Sequence, residues 1–425
     1  MDVNNYDLNV LDWQSTPTVQ RKIVSTQMVQ VPCFTSLPNS DKTPMIFKIE
    51  PADTLIDLSR CLLHMKIQVT QKDGTDLPED RNVSPCNYFA YAVFSSVELF
   101  INDQKVTLNQ AGLYPWMINT LFYLHYSQSD KESLKPALYY KDSVVGLDIW
   151  QATSVNSART ERKTFITKSK KSEYSCRVLT NTMFSQRLLP PQTEVTFQFN
   201  RSEPALILHG DKQFEYKINI LEASIFVPRI RLSEAALAQQ ISVLHNHGAI
   251  YPALQYDIRT RTIATQNLDW SIFNGRLPNR LYLWFVSEKA FNNDQQKYIF
   301  NLPCPDMNSF QVFLNDMPIP SNQAISTTET AIRAYEDTLR ALNYKNLDLG
   351  YNPGEYKEGA FVYAIDCTSD NSCGADYCSP SGEGTLRVRI NFKNKDDLPL
   401  VLFAMGEFST TMKIDKNKEI SWEHM

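Results

Sequence analysis

Apolar and polar positions alternate with period two along much of the chain, the pattern of strands with one buried face. The early segments are Met45–Glu50, Cys61–Thr70, Val97–Asn102, Val195–Asn200 and Glu215–Val227. The later ones are Leu281–Val286, Phe310–Asn315, Ala360–Asp366, Leu386–Phe392, Leu400–Met405 and Phe408–Ile414. Strands this numerous, without helices interleaved at crossover spacing, predict antiparallel sheets packed as sandwiches.

Three stretches carry helical spacing instead. Leu113, Met117, Leu121 and Leu124 form one stripe, with Pro115 tolerated in the first turn. Ile332, Tyr335, Leu339 and Leu342 form another, with Thr328 expected as N-cap and Glu329 in the first turn. The third runs from Ser233 as N-cap through Leu237, Ile241 and Leu244 to Gly248. Its place near mid-chain predicts a connector between two domains.

An internal repeat supports that division. Val97-Glu-Leu-Phe-Ile-Asn-Asp103 aligns with Phe310-Gln-Val-Phe-Leu-Asn-Asp316, and a helical stripe follows each. Arg60, ahead of LLHMKI, matches Arg280, ahead of LYLWFV, and FQFNRSEPALILHG resembles RINFKNKDDLPLVLFAMG. The pairs Asn102-Asp103 and Asn315-Asp316 end equivalent strands and read as equivalent structural turns. The fold class expected is all-β: two tandem eight-stranded jelly-roll sandwiches with short helices in the connections. The division is an arm over 1–25, a first sandwich over 26–230, a linker helix over 231–250 and a second sandwich over 251–425. Residues 127–193 and 344–385 read as long loops of functional or interface-forming kind.

Composition narrows the function. At 425 residues, with 43% hydrophobic and 21% charged, the chain is long enough for two cores and is not disordered as a whole. Thirteen glycines argue against Gly-rich phosphate cradles, and a net charge of -5 argues against dedicated nucleic-acid binding. MDVNNYDLNVLDWQS has neither a basic n-region nor an apolar h-region, so no secretory leader is expected. The uncharged stretch from Ala111 to Ser129 is broken by Pro115, Asn119 and His125 and does not read as a membrane span. Such a protein is expected to be soluble, made inside a cell, and to keep free thiols.

Candidate chemistry is sparse. Cys367, Cys373 and Cys378 cluster, but without the close knuckle or fourth ligand of a zinc site, and an irregular loop is expected. His245 and His247 read as polar residues at a helix C-terminus, because no carboxylate follows at metal-binding spacing. Asp73 and Asp76, and Asp396 and Asp397, lie in turn-like stretches, not as paired acids on strands. Arg159, Arg162, Lys163, Lys168, Lys170 and Lys171 make a basic run with one aromatic, Phe165. It reads first as a solvated loop, and second as a contact with packaged nucleic acid or a neighbouring acidic subunit. The sequons at Asn82 and Asn200 carry no weight without secretion. No catalytic residue, metal ligand or cofactor is expected.

The ordered motifs resemble those of the double jelly-roll major capsid protein, or hexon, of Polinton/Maverick elements and adintoviruses. The similar stretches are 57–77 (DLSRCLLHMKIQVTQKDGTDL), 94–106, 137–143 (ALYYKDS), 183–191, 275–292, 358–370 and 406–420. Leu189-Pro-Pro-Gln192 and the cysteine cluster depart from the pattern, both in expected loops. The resemblance implies a homotrimer forming a pseudo-hexagonal capsomer that tiles an icosahedral shell. It implies neighbouring trimers and a penton or minor capsid protein as partners, nonspecific contact with packaged double-stranded DNA, and location in the virion capsid. Synthesis would be in the host cytoplasm, with assembly there or in the nucleus. Residues 1–20 would be an arm reaching a neighbour or the interior. Two other classes remain: a carbohydrate-binding or carbohydrate-active tandem sandwich, and a minor or scaffold-type capsid component, which the two-fold repeat disfavours.

Overall fold

The computed structural model describes residues 20, 22–37, 43–109, 112–150, 156–343, 349–373, 382–395 and 398–424. The expected arm over residues 1–20, Asp396, Asp397 and Cys378 therefore lie almost wholly outside the described residues.

The first half contributes β1 (Ile23–Pro32), β2 (Met45–Ile49), β3 (Leu62–Gln71), β4 (Phe94–Ile101), β5 (Gln104–Lys105), β6 (Ser172–Arg177), β7 (Val195–Arg201) and β8 (Tyr216–Leu232). The second contributes β9 (Ala249–Ile263), β10 (Asn267–Arg276), β11 (Arg280–Ser287), β12 (Met307–Leu314) and β13 (Met317–Ile319). It continues with β14 (Tyr363–Asp366), β15 (Glu383–Phe392) and β16 (Leu400–Ile414), and a last strand, Ile420–His424, pairs back onto the end of β16. In the first half the sheet orders are β1-β8-β3-β6 and β2-β7-β4-β5. The second half repeats them as β9-β16-β11-β14 and β10-β15-β12-β13. Each half is an antiparallel eight-stranded jelly roll.

Alternation fixes each core. In the first roll Met65 and Ile67 of β3 meet Phe47 and Phe199 of the facing sheet, and the two phenyl rings pack edge to face at 5.6 Å. In the second, Leu281, Leu283 and Phe285 of β11 meet Phe310, Val388 and Phe392. The other face of β11 is buried too. Tyr282, Trp284 and Val286 join a cluster with Val401, Phe403 and Met405 of β16 and with the helix α1 (Tyr114–His125) of the first roll. Trp284 stacks on Phe403 at 5.2 Å, and Trp116 lies against the same ring at 5.2 Å. A strand buried on both faces reads as a continuous apolar run, which explains LYLWFV and LVLFAM.

Several expectations need correcting. β1, β6, β9 and β10 are strands that the alternation did not reveal. β1 is exposed along most of its length, so no apolar face marks it. The two segments from Leu400 to Ile414 form one strand, through Gly406. A Cβ at Gly406 would come within 2.8 Å of the Phe273 and Phe408 rings, so the glycine marks close packing and not a break. The helix expected after Thr328 begins at Ile332, with Ala331 at its N-cap. The long loop from 127 holds β6 and the short helix α2 (Ser157–Lys163).

Between the rolls stands α3 (Glu234–His247), entered from Ser233 and left through Gly248 at φ 75°. Only Ala236 of this helix is fully buried. The second roll carries α4 (Ile332–Ala341) and α5 (Pro353–Gly359), the latter closed by a capping box between Asn352 and Glu355.

Candidate functional site: the joint between the two rolls

Two buried polar networks tie the rolls together. The first grows from α2. Arg162 is 1% exposed, and its guanidinium donates to an Asp142 carboxylate oxygen at 2.7 Å and to the carbonyl of Pro85 at 3.1 Å. The other Asp142 oxygen accepts from the Tyr298 hydroxyl at 2.8 Å, and Asn156 donates to the first at 2.9 Å. Tyr298 belongs to the second half and also accepts from the Asn87 amide at 3.0 Å. Burial pulls the Arg162 pKa down, but Asp142 outweighs it and the guanidinium stays charged. Arg159, also buried, donates to the carbonyls of Ile149 and Leu147 and lies over the Trp150 ring at 3.8 Å. His209 is also stacked with Trp150 at 6.0 Å and packs edge-on to Tyr298 at 5.3 Å. Burial drives the His209 pKa down to about 3, helped by Arg159 and Arg162.

The second network joins α1 to β11 and β16. Arg280 and Glu407 are both nearly buried, 3.4 Å apart, and the Tyr282 hydroxyl donates to Glu407 at 2.8 Å. His125 of α1 sits 3.0 Å from that hydroxyl. Burial lowers the His125 pKa to about 4. Burial pushes the Glu407 pKa up, yet Arg280 and the Tyr282 hydroxyl outweigh it, so the carboxyl sits below its usual range. Arg280 also donates to the carbonyl of Cys373 at 3.1 Å. The sequence match between Arg60 and Arg280 hides a difference, because Arg60 is 57% exposed and pairs locally with Asp57.

The basic run is thus not a solvated loop throughout. Arg159 and Arg162 are spent inside the chain, since a buried guanidinium must find acceptors there. Lys163 is half-buried, while Lys168, Lys170 and Lys171 are exposed, Lys168 beside Glu79 at 2.9 Å. Asn102 and Asp103 close the β4–β5 hairpin, and Asn315 and Asp316 close β12–β13. His245 and His247 lie exposed in the last turn of α3. Asp73 accepts from the Thr75 amide at 2.9 Å and so caps its own turn.

Beside the first network lies a cavity of about 50 Å³, lined by Asn87, Tyr123, Gln128, Lys131, Asp142 and Tyr351 among others. That is room for a few waters and no larger ligand. Among the described residues no three His, Cys, Asp or Glu side chains gather at metal-binding distance. The described cysteines are free thiols. Burial raises the pKa of Cys61 and Cys304 to about 12, so neither is poised as a nucleophile. No helix among the described residues is long and apolar enough to cross a membrane.

Asp142, Tyr298, His209 and Glu407 carry this joint, and sequence reasoning did not single them out. Their partners lie far away in sequence, and the one local signal, Asp142 within ALYYKDS, has no spacing that marks a buried ion pair.

The geometry described defines a double jelly roll. Its likeness among solved structures is to viral capsid shells. A chain of the Sputnik virophage superposes with TM-score 0.66 at 12% identity, over 97% of this chain and 91% of that one. The PBCV-1 virus capsid gives 0.60 at 10%, over 96% and 99%. The mavirus major capsid protein gives 0.56 at 10%, over 100% and 94%. No family model and no curated protein matches the sequence.

Proposed function

We propose that this chain is a major capsid protein: three copies form a pseudo-hexagonal capsomer, and capsomers tile an icosahedral shell. The observation that carries the reading is the repeated strand order, one jelly roll used twice, in a fold shared along nearly its whole length with the mavirus major capsid protein. Two similar rolls per chain give three copies six similar sides, which suits hexagonal tiling. The units are the sandwiches over 26–230 and 251–425, joined by the linker over 231–250 and preceded by the arm over 1–25. Catalysis has no part in the reading, and the structure's buried polar groups act as braces.

The order of the sequence motifs supports a capsid protein of the Polinton/Maverick and adintovirus kind. Its further partners are a penton or minor capsid protein and, through Lys163, Lys168, Lys170 and Lys171, a neighbouring subunit or packaged DNA. The carbohydrate reading has less support, since Asp73 of its proposed acid pair caps a turn. The solution mass of the purified protein tests the capsomer: three times 48.8 kDa is expected, and a stable monomer at all concentrations would overturn it.

A further inference from the structure

The helix α3 between the rolls has an apolar face that the described residues leave largely open. Leu237, Ile241 and Leu244 make one stripe, and Ala236 and Val243 lie beside it. Ala236 is buried and Leu237 and Leu244 are half-buried, yet Ile241 is 40% and Val243 45% exposed. None of these side chains belongs to either core. A helix of 14 residues is marginal in water unless such a face is packed. This one calls for a cover.

The start of the chain lies beside it. The Ser233 amide, at the entry to α3, donates to the Lys22 carbonyl at 2.8 Å, and the Gln20 side chain accepts from the Ile23 amide at 3.1 Å. Residues 1–19, outside the described residues, therefore run up to the N-terminal end of α3. Among them Tyr6, Leu8, Val10, Leu11 and Trp13 gather the large apolar side chains into one short stretch. Extended chain from Gln20 reaches about 25 Å to Trp13 and about 50 Å to Tyr6, and α3 is about 21 Å long. The stretch can thus lie along the whole helix.

Charge agrees with that placement. Residues 1–19 carry Asp2, Asp7 and Asp12 and no Lys or Arg. The helix has a single carboxylate, Glu234, and cations stand at both of its ends. Lys22 and Arg231 are exposed at the entry. At the exit Arg187 donates to the Ile250 carbonyl, and the Lys413 side chain comes within 3.0 Å of where a Cβ on Gly248 would sit.

We propose that residues 6–13 fold back on their own chain and cover the apolar face of α3. A segment tethered this close meets the face at a high effective concentration, which a second copy in dilute solution does not match. The connection between the rolls then has two layers, and the first residues stay on their own chain instead of reaching a neighbour. The inference stands whether the chain is a monomer or part of a capsomer.

Amide hydrogen exchange on the full chain and on a chain lacking residues 1–19 tests it. The amides from Leu237 to Leu244 are expected to exchange about tenfold faster in the shortened chain, while β3 and β16 stay protected in both. Leu8→Asp with Leu11→Asp in the full chain is expected to speed α3 in the same way, which keeps the test decisive if the shortened chain misfolds. Leu11→Cys with Ile241→Cys, oxidised with diamide, is expected to consume two thiols and leave a species of one chain's mass on a non-reducing gel. Equal exchange of α3 in the full chain and in both variants would overturn the proposal. A cross-linked product of two chains' mass would overturn it too, by showing that the cover comes from another copy.

Discussion

Asn102 and Asn315 occupy the same place in the two halves of the chain. Both sit at φ 49°, each followed by an aspartate at φ 62°. The side-chain oxygen of Asn102 accepts from the Glu194 amide at 3.1 Å, and that of Asn315 from the Thr385 amide at 2.8 Å. Each backbone amide donates in return, Asn102 to Glu194 and Asn315 to Thr385, at 3.0 and 2.9 Å. Two positive-φ residues make the tight hairpin turn whose twist matches the strands, and asparagine tolerates that conformation. Asn102→Ala and Asn315→Ala should each lose about 1–2 kcal/mol, from strain and from the lost bond. Urea denaturation of the two variants checks this, and their losses should be similar.

The Arg162–Asp142 pair predicts a larger, asymmetric effect. Arg162→Met leaves a buried carboxylate without its cation and should cost about 3–5 kcal/mol. Adding Asp142→Leu should recover part of that loss, because the stranded charge is then gone. A double-mutant cycle by chemical denaturation measures the coupling.

His125 and His209 predict an acid-sensitive joint. Their pKa values fall to about 4 and about 3, against about 6.5 in an unfolded chain. The native rings are neutral, and between those limits the unfolded chain binds more protons. Stability is therefore full above about pH 6.5 and falls as pH drops, by about 1.4 kcal/mol per unit for each ring. His125 faces Tyr282, Glu407 and Arg280, and His209 faces Arg159, Arg162, Trp150 and Tyr298. Urea midpoints between pH 7.5 and pH 4.5 should show the decline, and His209→Phe should flatten it.

Gly406→Ala tests the packing of β16. Its new methyl would meet the Phe273 ring at 2.8 Å, where Phe273 already packs edge-on to Phe408 at 5.5 Å. A loss of about 1–3 kcal/mol is expected in thermal or urea unfolding.

The fold was legible where strands bury one face, as at β3, β7 and β15, because alternation then records the core. It was illegible at β1, whose residues face water on most sides, and at β9 and β10, whose polar residues interrupt the pattern. The repeat was readable through the Asn-Asp turns, since turn chemistry depends on local residues. The joint was not. Arg162 and Arg159 look like their lysine neighbours in sequence, and only the three-dimensional placement of Asp142, Tyr298 and the carbonyls of Leu147 and Ile149 separates them. The composition could not tell a solvated cation from a buried one.

In the proposed capsomer, the two similar rolls of each chain make a six-sided particle from three copies. Single-particle imaging of the purified oligomer tests it most directly. A three-copy particle with a hexagonal outline is expected. A monomer, or an open chain of copies without threefold closure, would contradict it.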